Sequence, residues 1–128
     1  MSKDEDTPYF PILRGESVSE AGVFSGKVLI VCNPEELERE WTSDLIPVLH
    51  NDLESYFNDN PEAIDRLFNE VTTVLAEFGE SISQFATSAT QHGAIAVVKV
   101  NDATHVLEND MHIRVEASEN QGDVFFID

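Results

Sequence analysis

The stretch at positions 72–100, TTVLAEFGESISQFATSATQHGAIAVVKV, decides how the rest of the chain is read. An apolar run meets a glycine, a segment of small residues follows, and a second apolar run closes it. That is the order of a β-α-β unit. Gly79-Glu80-Ser81-Ile82-Ser83-Gln84 marks the passage from the first strand into the helix, where α/β folds present polar groups to ligands. Ser81 or Ser83 is a natural N-cap, and Ala86 and Ala89 keep one helix face small enough for close packing. At the far end His92 is favoured by the helix dipole, and Gly93 follows as the C′ residue.

Upstream, residues 23–32 read as a strand with a glycine bend and a buried second half, and Lys27 is assigned to a solvated strand edge. Cys32, the only cysteine, is expected as a small buried hydrophobe at the end of that run. Asn33-Pro34-Glu35-Glu36 starts a helix expected to run to about Trp41, with Asn33 as its cap. Residues 44–49 give a short strand that Pro47 places at an edge or a strand end. His50 follows in the loop His50-Asn51-Asp52, either as a ligand or relay residue or as a loop histidine with its hydrogen bond satisfied. Asn60-Pro61-Glu62 repeats the helix start, and Ile64, Leu67, Phe68 and Val71 lay an apolar stripe along the helix behind it.

Downstream, residues 101–107 predict one helical turn capped by Asn101 or Asp102. Met111, Ile113 and Val115 alternate with His112, Arg114 and Glu116, which is a half-exposed strand, and the turn at 118–122 leads into a closing hairpin strand. The chain of 128 residues fits one domain at 12–128, preceded by a flexible acidic tail at 1–11.

Charge narrows the function. The chain carries 25 acidic and 7 basic residues, a net −18, which repels DNA, RNA and anionic membranes. Acids scattered over the whole length suit a salt-rich, halophilic cytoplasm, where a screening length of about 3 Å at 1 M removes self-repulsion. No apolar run approaches the roughly 20 residues that span a bilayer, and the first eleven residues lack a signal-peptide pattern, so a cytoplasmic location and no membrane partner are expected. No His or Cys pair has zinc-ligand spacing, and there is no phosphate loop, nucleophile elbow or dinucleotide fingerprint. Neither a metal nor a cofactor is expected.

The central stretch also resembles a known family, the mobile (swivelling) phosphohistidine domain of phosphoenolpyruvate-utilising enzymes. The residues that carry the likeness are the turn-helix at 77–86, the strand Gly93-Ala94-Ile95-Ala96-Val97-Val98, the pair Ala103-Thr104, and the opening glycines Gly15, Gly22 and Gly26. The resemblance implies an α/β swivelling β/β/α domain: a mainly parallel central sheet, a small second sheet and packed helices. It places Gln84 at the family's phosphorylated histidine, Glu80 at its second glycine and Thr90 at its arginine. A glutamine amide has no nitrogen lone pair to attack phosphorus, Glu80 opposes an incoming phosphoryl group, and Thr90 removes a bidentate clamp. No catalytic residue is therefore expected. Gly79, Glu80, Ser81, Ser83, Gln84 and Thr90 become the ligand-facing set of a stand-alone, non-phosphorylatable binding or regulatory module. The alternatives are an active phosphocarrier or phosphotransferase subunit using His50, working in trans with a nucleotide- and phosphoenolpyruvate-binding enzyme chain, or a native histidine replaced by design.

Overall fold

The structure, a computed structural model, describes residues 10–19, 21–79 and 82–127, the side chains at 82–84 aside; residues 1–9 of the expected tail lie outside it. Seven strands, β1 (Leu13–Ser17), β2 (Gly22–Val31), β3 (Leu45–Leu49), β4 (Thr73–Ala76), β5 (Ile95–Val98), β6 (His112–Ala117) and β7 (Gly122–Phe126), form a closed barrel in the order β1-β5-β4-β3-β2-β6-β7. Among the described residues four α-helices, α1 (Glu54–Asp59), α2 (Glu62–Glu70), α3 (Ile82–His92) and α4 (Ala103–Val106), lie in the connections.

The mainly parallel sheet with a second small sheet is thus corrected to a single closed mixed barrel. Strands β2, β3, β4 and β5 do run parallel, as the helical crossovers require. The β6-β7 hairpin then pairs antiparallel with β2, and β1 pairs antiparallel with both β5 and β7. Both outer edges of the parallel quartet are sealed, so no separate sheet remains. At the β1–β7 seam Gly15 faces Gly122. A Cβ at Gly15 would lie 2.5 Å from the Val98 carbonyl oxygen, and one at Gly122 would lie 2.5 Å from a Val97 methyl. Paired glycines let the backbones close over the valines that fill the interior.

Alternation along the strands sorts the core into two layers. Val28, Ile46, Val48, Leu75, Val97, Ile113, Val115 and Val124 pack inside the barrel. Val31, Leu49, Val74, Ala76, Ala96 and Val98 face outward and are covered by Leu53, Phe57, Ile64, Leu67, Phe68 and Phe85 from the helical connections. The stripe read in the sequence is the buried face of α2, where Ala63, Ile64, Leu67 and Phe68 sit. The rings of Phe57, Phe78 and Phe85 meet one another beneath α3, with centroids 5.7–6.1 Å apart.

Three local expectations change. The helix expected to run to Trp41 is a short 3-10 helix, Pro34–Glu38; Asn33 caps it, and Glu36 reaches back to accept from the Cys32 N–H at 2.7 Å. Strand β3 is interior despite Pro47, because its ladder to β4 begins only at Val48, past the point where the missing N–H would be required. Cys32 is exposed rather than buried, since β2 ends one residue before it.

Candidate site at the barrel mouth

The four parallel strands end on one side of the barrel, and the residues that follow them are Cys32, His50, Glu77 and Lys99. Ladder bonds carry the pairing past the strand ends: His50 N–H donates to the Val31 carbonyl at 2.9 Å, and Glu77 N–H donates to the Leu49 carbonyl at 3.0 Å. By strand alternation Cys32, His50 and Glu77 continue the inward rows Val28–Ile30, Ile46–Val48 and Leu75. The mouth is closed from within by α4, whose Ala103 and neighbouring Leu107 belong to the interior cluster.

Glu77 organises this end. Its carboxylate, buried to 5% exposure, accepts the Asn51 N–H at 3.0 Å on one oxygen. The other oxygen accepts the Thr104 N–H and the Thr104 hydroxyl, each at 2.8 Å. Burial pushes the carboxyl up, but the Thr104 and Asn51 hydrogen bonds and the neighbouring His50 outweigh it, and Glu77 stays below the usual carboxylate range. The same contact replaces the expected cap of α4. Asp102, at φ 63°, makes no side-chain cap bond, and Glu77 supplies from β4 the acceptor that a local side chain would have given.

His50 caps the 3-10 turn Asn51–Leu53 by accepting the Asp52 N–H on Nδ1 at 3.0 Å, so the neutral ring carries its proton on Nε2. Partial desolvation at the mouth, together with the charges of Glu36, Glu77 and Asp52, pushes the Cys32 thiol up. A raised thiol is a poor nucleophile at neutral pH. Lys99 adopts φ 59° at the end of β5 and lays its stem across Gly79, where a Cβ would meet Lys99 Cγ at 2.6 Å. Glycine at 79 is what lets the lysine cross the β4–α3 turn, and Lys99 Nζ comes to rest 3.6 Å from Glu16.

Of the expected ligand-facing set Gly79 lies at this mouth, as does the separate candidate His50. Glu80 and Ser81 lie outside the described residues, as do the side chains of Ser83 and Gln84, whose backbone is in the first turn of α3. Thr90 is exposed six residues further along that helix, roughly 9 Å by axial rise, and does not join them. His92 ends α3 ahead of Gly93 at φ 64°, with Nε2 2.9 Å from Asp65 and its ring stacked on Phe68. Glu77, Lys99 and Thr104 were missed as site residues. The available signal was parity, for an acid that continues the inward row of Leu75 needs a partner. Among the described residues no group of three His, Cys, Asp or Glu is placed to hold a metal ion. No helix among them is long and apolar enough to cross a membrane.

Chemically, the mouth offers hydrogen-bond donors rather than an activated nucleophile. The Glu77 carboxylate is committed to backbone and hydroxyl donors, while the His50 side chain is 26% exposed and that of Lys99 53% exposed, its ammonium beside Glu16. A closed mixed barrel with a polar rim at the ends of its parallel strands is the class that fold and site define. No protein-family model matches the sequence, and no curated protein matches it. Among solved structures, the chain is similar to a UPF0107 protein determined by solution NMR, at 13% identity over 94% of this chain and 99% of that one, with a TM-score of 0.63. It is also similar to a chain of Thermococcus kodakaraensis aconitase X in its holo-form, at 18% identity over 88% of this chain and 97% of that one, with a TM-score of 0.56.

These neighbours overturn the expected kinship with the mobile phosphohistidine domain, and with it the phosphotransfer and pseudoenzyme reading of the Gln84 position. The glycine turn between strand and helix belongs to many parallel-stranded folds, so the local likeness at 77–86 carried no information about how the remaining strands close.

Proposed function

We propose that this chain is a companion module of an aconitase X-like enzyme, one that does not turn over substrate by itself. It presents the barrel mouth to a partner chain, and His50 Nε2 and Lys99 Nζ offer donors to a carboxylate-bearing hydroxy acid held between the two. The observation that carries this reading is the division of labour at the mouth: the thiol of Cys32 is pushed up and the carboxylate of Glu77 is spoken for, while two donor-bearing side chains stay accessible. Support comes from a fold shared nearly end to end with a chain of an aconitase X. We place the module in the cytoplasm, in keeping with a single, exposed and unpaired cysteine.

Co-expression with the aconitase-like chain of the same organism tests this. The expected result is a stoichiometric complex by native mass spectrometry, with the ultraviolet absorbance of a conjugated C=C bond appearing only when both chains are present, and falling when Lys99→Ala is used. Turnover by this chain alone, or failure of the two chains to associate, would overturn the proposal.

A further inference from the structure

A second concavity lies away from the mouth and shares none of its residues. The segment at 37–42, between the 3-10 helix and β3, stands off from α2 and leaves a cavity of about 530 Å³, within the roughly 300–1,000 Å³ of small-molecule sites. Buried Leu67 and half-buried Trp41 line it. Two of the chain's four arginines line it, Arg39 from the segment and Arg66 from α2. Arg39 stacks on the Trp41 ring at 5.6 Å and donates to the Glu40 carbonyl.

Neither guanidinium is ion-paired to a carboxylate among the described residues. In a chain with 25 acids and 7 bases, two arginines that meet no carboxylate are a departure from the surrounding chemistry. Glu38, Glu40 and Glu70 line the same cavity. The cavity therefore combines a flat apolar surface, cationic forks suited to a carboxylate, and anionic groups suited to an ammonium.

We propose that this groove binds a small zwitterion with a flat apolar side chain, an aromatic α-amino acid. Its carboxylate meets Arg66 and Arg39, its ammonium meets Glu70 or Glu40, and its ring lies against Trp41 and Leu67. A simple anion would face the glutamates and the −18 field of the chain, and a simple cation would face the arginines. Only a ligand with both charges meets both kinds of group that line the cavity.

Trp41 is the only tryptophan, so its fluorescence reports on the groove directly. The whole chain is titrated at constant salt with L-phenylalanine, with phenethylamine, which lacks the carboxylate, and with 3-phenylpropanoate, which lacks the ammonium. The expected result is a saturable change with phenylalanine, weakened about tenfold or more for either analogue and for Arg66→Ala, since each removes a charge-assisted hydrogen bond. Arg66 is exposed, and an unchanged circular dichroism spectrum confirms that the variant is folded. Arg66→Lys, which keeps the charge without the fork, is expected to fall between. No saturable change with phenylalanine, equal binding of either analogue, or full affinity in Arg66→Ala would each overturn the proposal.

Discussion

Replacing Glu77 by glutamine changes one oxygen to an amide nitrogen and removes a charge while keeping the shape. In the native site two donors from Thr104 converge on one carboxylate oxygen and the Asn51 N–H meets the other. The amide best keeps its oxygen toward Thr104, which sets its NH2 against the Asn51 N–H and leaves that donor unpaired. An unsatisfied buried donor costs about 1–3 kcal/mol, and the bonds to Thr104 weaken once the acceptor is neutral, so a loss of about 2–4 kcal/mol is expected. Against a total of roughly 5–15 kcal/mol this is a large fraction, and it is read as a lower urea midpoint at constant slope. The sign with pH follows from the lowered carboxyl. A group held below its unfolded value contributes stability above that value and loses it as pH falls through the folded one. The gap between wild type and Glu77→Gln therefore narrows in acid, where both side chains are neutral. A Glu77→Gln variant within about 0.5 kcal/mol of wild type at neutral pH would refute the view that this carboxylate ties the loop after β3 to α4.

Cys32 should be alkylated by iodoacetamide more slowly than a free cysteine at mildly alkaline pH despite its exposure, and Glu36→Gln should speed the reaction, because a neighbouring carboxylate no longer opposes the thiolate. Gly15→Ala should destabilise by about 1–3 kcal/mol in chemical denaturation, since its Cβ would sit 2.5 Å from a carbonyl of β5 that cannot retreat without opening the seam. Gly79→Ala meets only the flexible stem of Lys99 and should cost less than about 1 kcal/mol, while shifting Lys99 enough to be seen in its side-chain NMR signals. Phe57→Ala, which empties the centre of the aromatic cluster, should lower stability by about 3–5 kcal/mol by the same measurement.

Local grammar was legible wherever it is written locally. The strand-helix-strand order at 72–100, the Asn33 cap, the apolar stripe of α2 and the closing hairpin all rest on spacings of a few residues, and the structure has each of them. Closure was not legible, because it depends on β1 pairing with strands near the other end of the chain; the Arg14–Asp123 contact joins residues 109 apart. Alternating apolar residues say that a strand has a buried face, not which edge will meet it. The same limit hid the cap of α4, since Glu77 is 27 residues from Thr104. For Cys32, an apolar run set burial by composition, whereas its true environment follows from where the ladder stops. The groove beside α2 was invisible for a related reason: nothing in the local spacing of Arg39 and Arg66 says that both will line one cavity.

A ring of strands has no first or last member. Each strand here already has a neighbour on either side, so none is left to recruit an extended peptide from another molecule. When dilution strips away counter-ions and the acidic surface pushes against itself, the expected outcome is separate, loosened molecules and not fibrils.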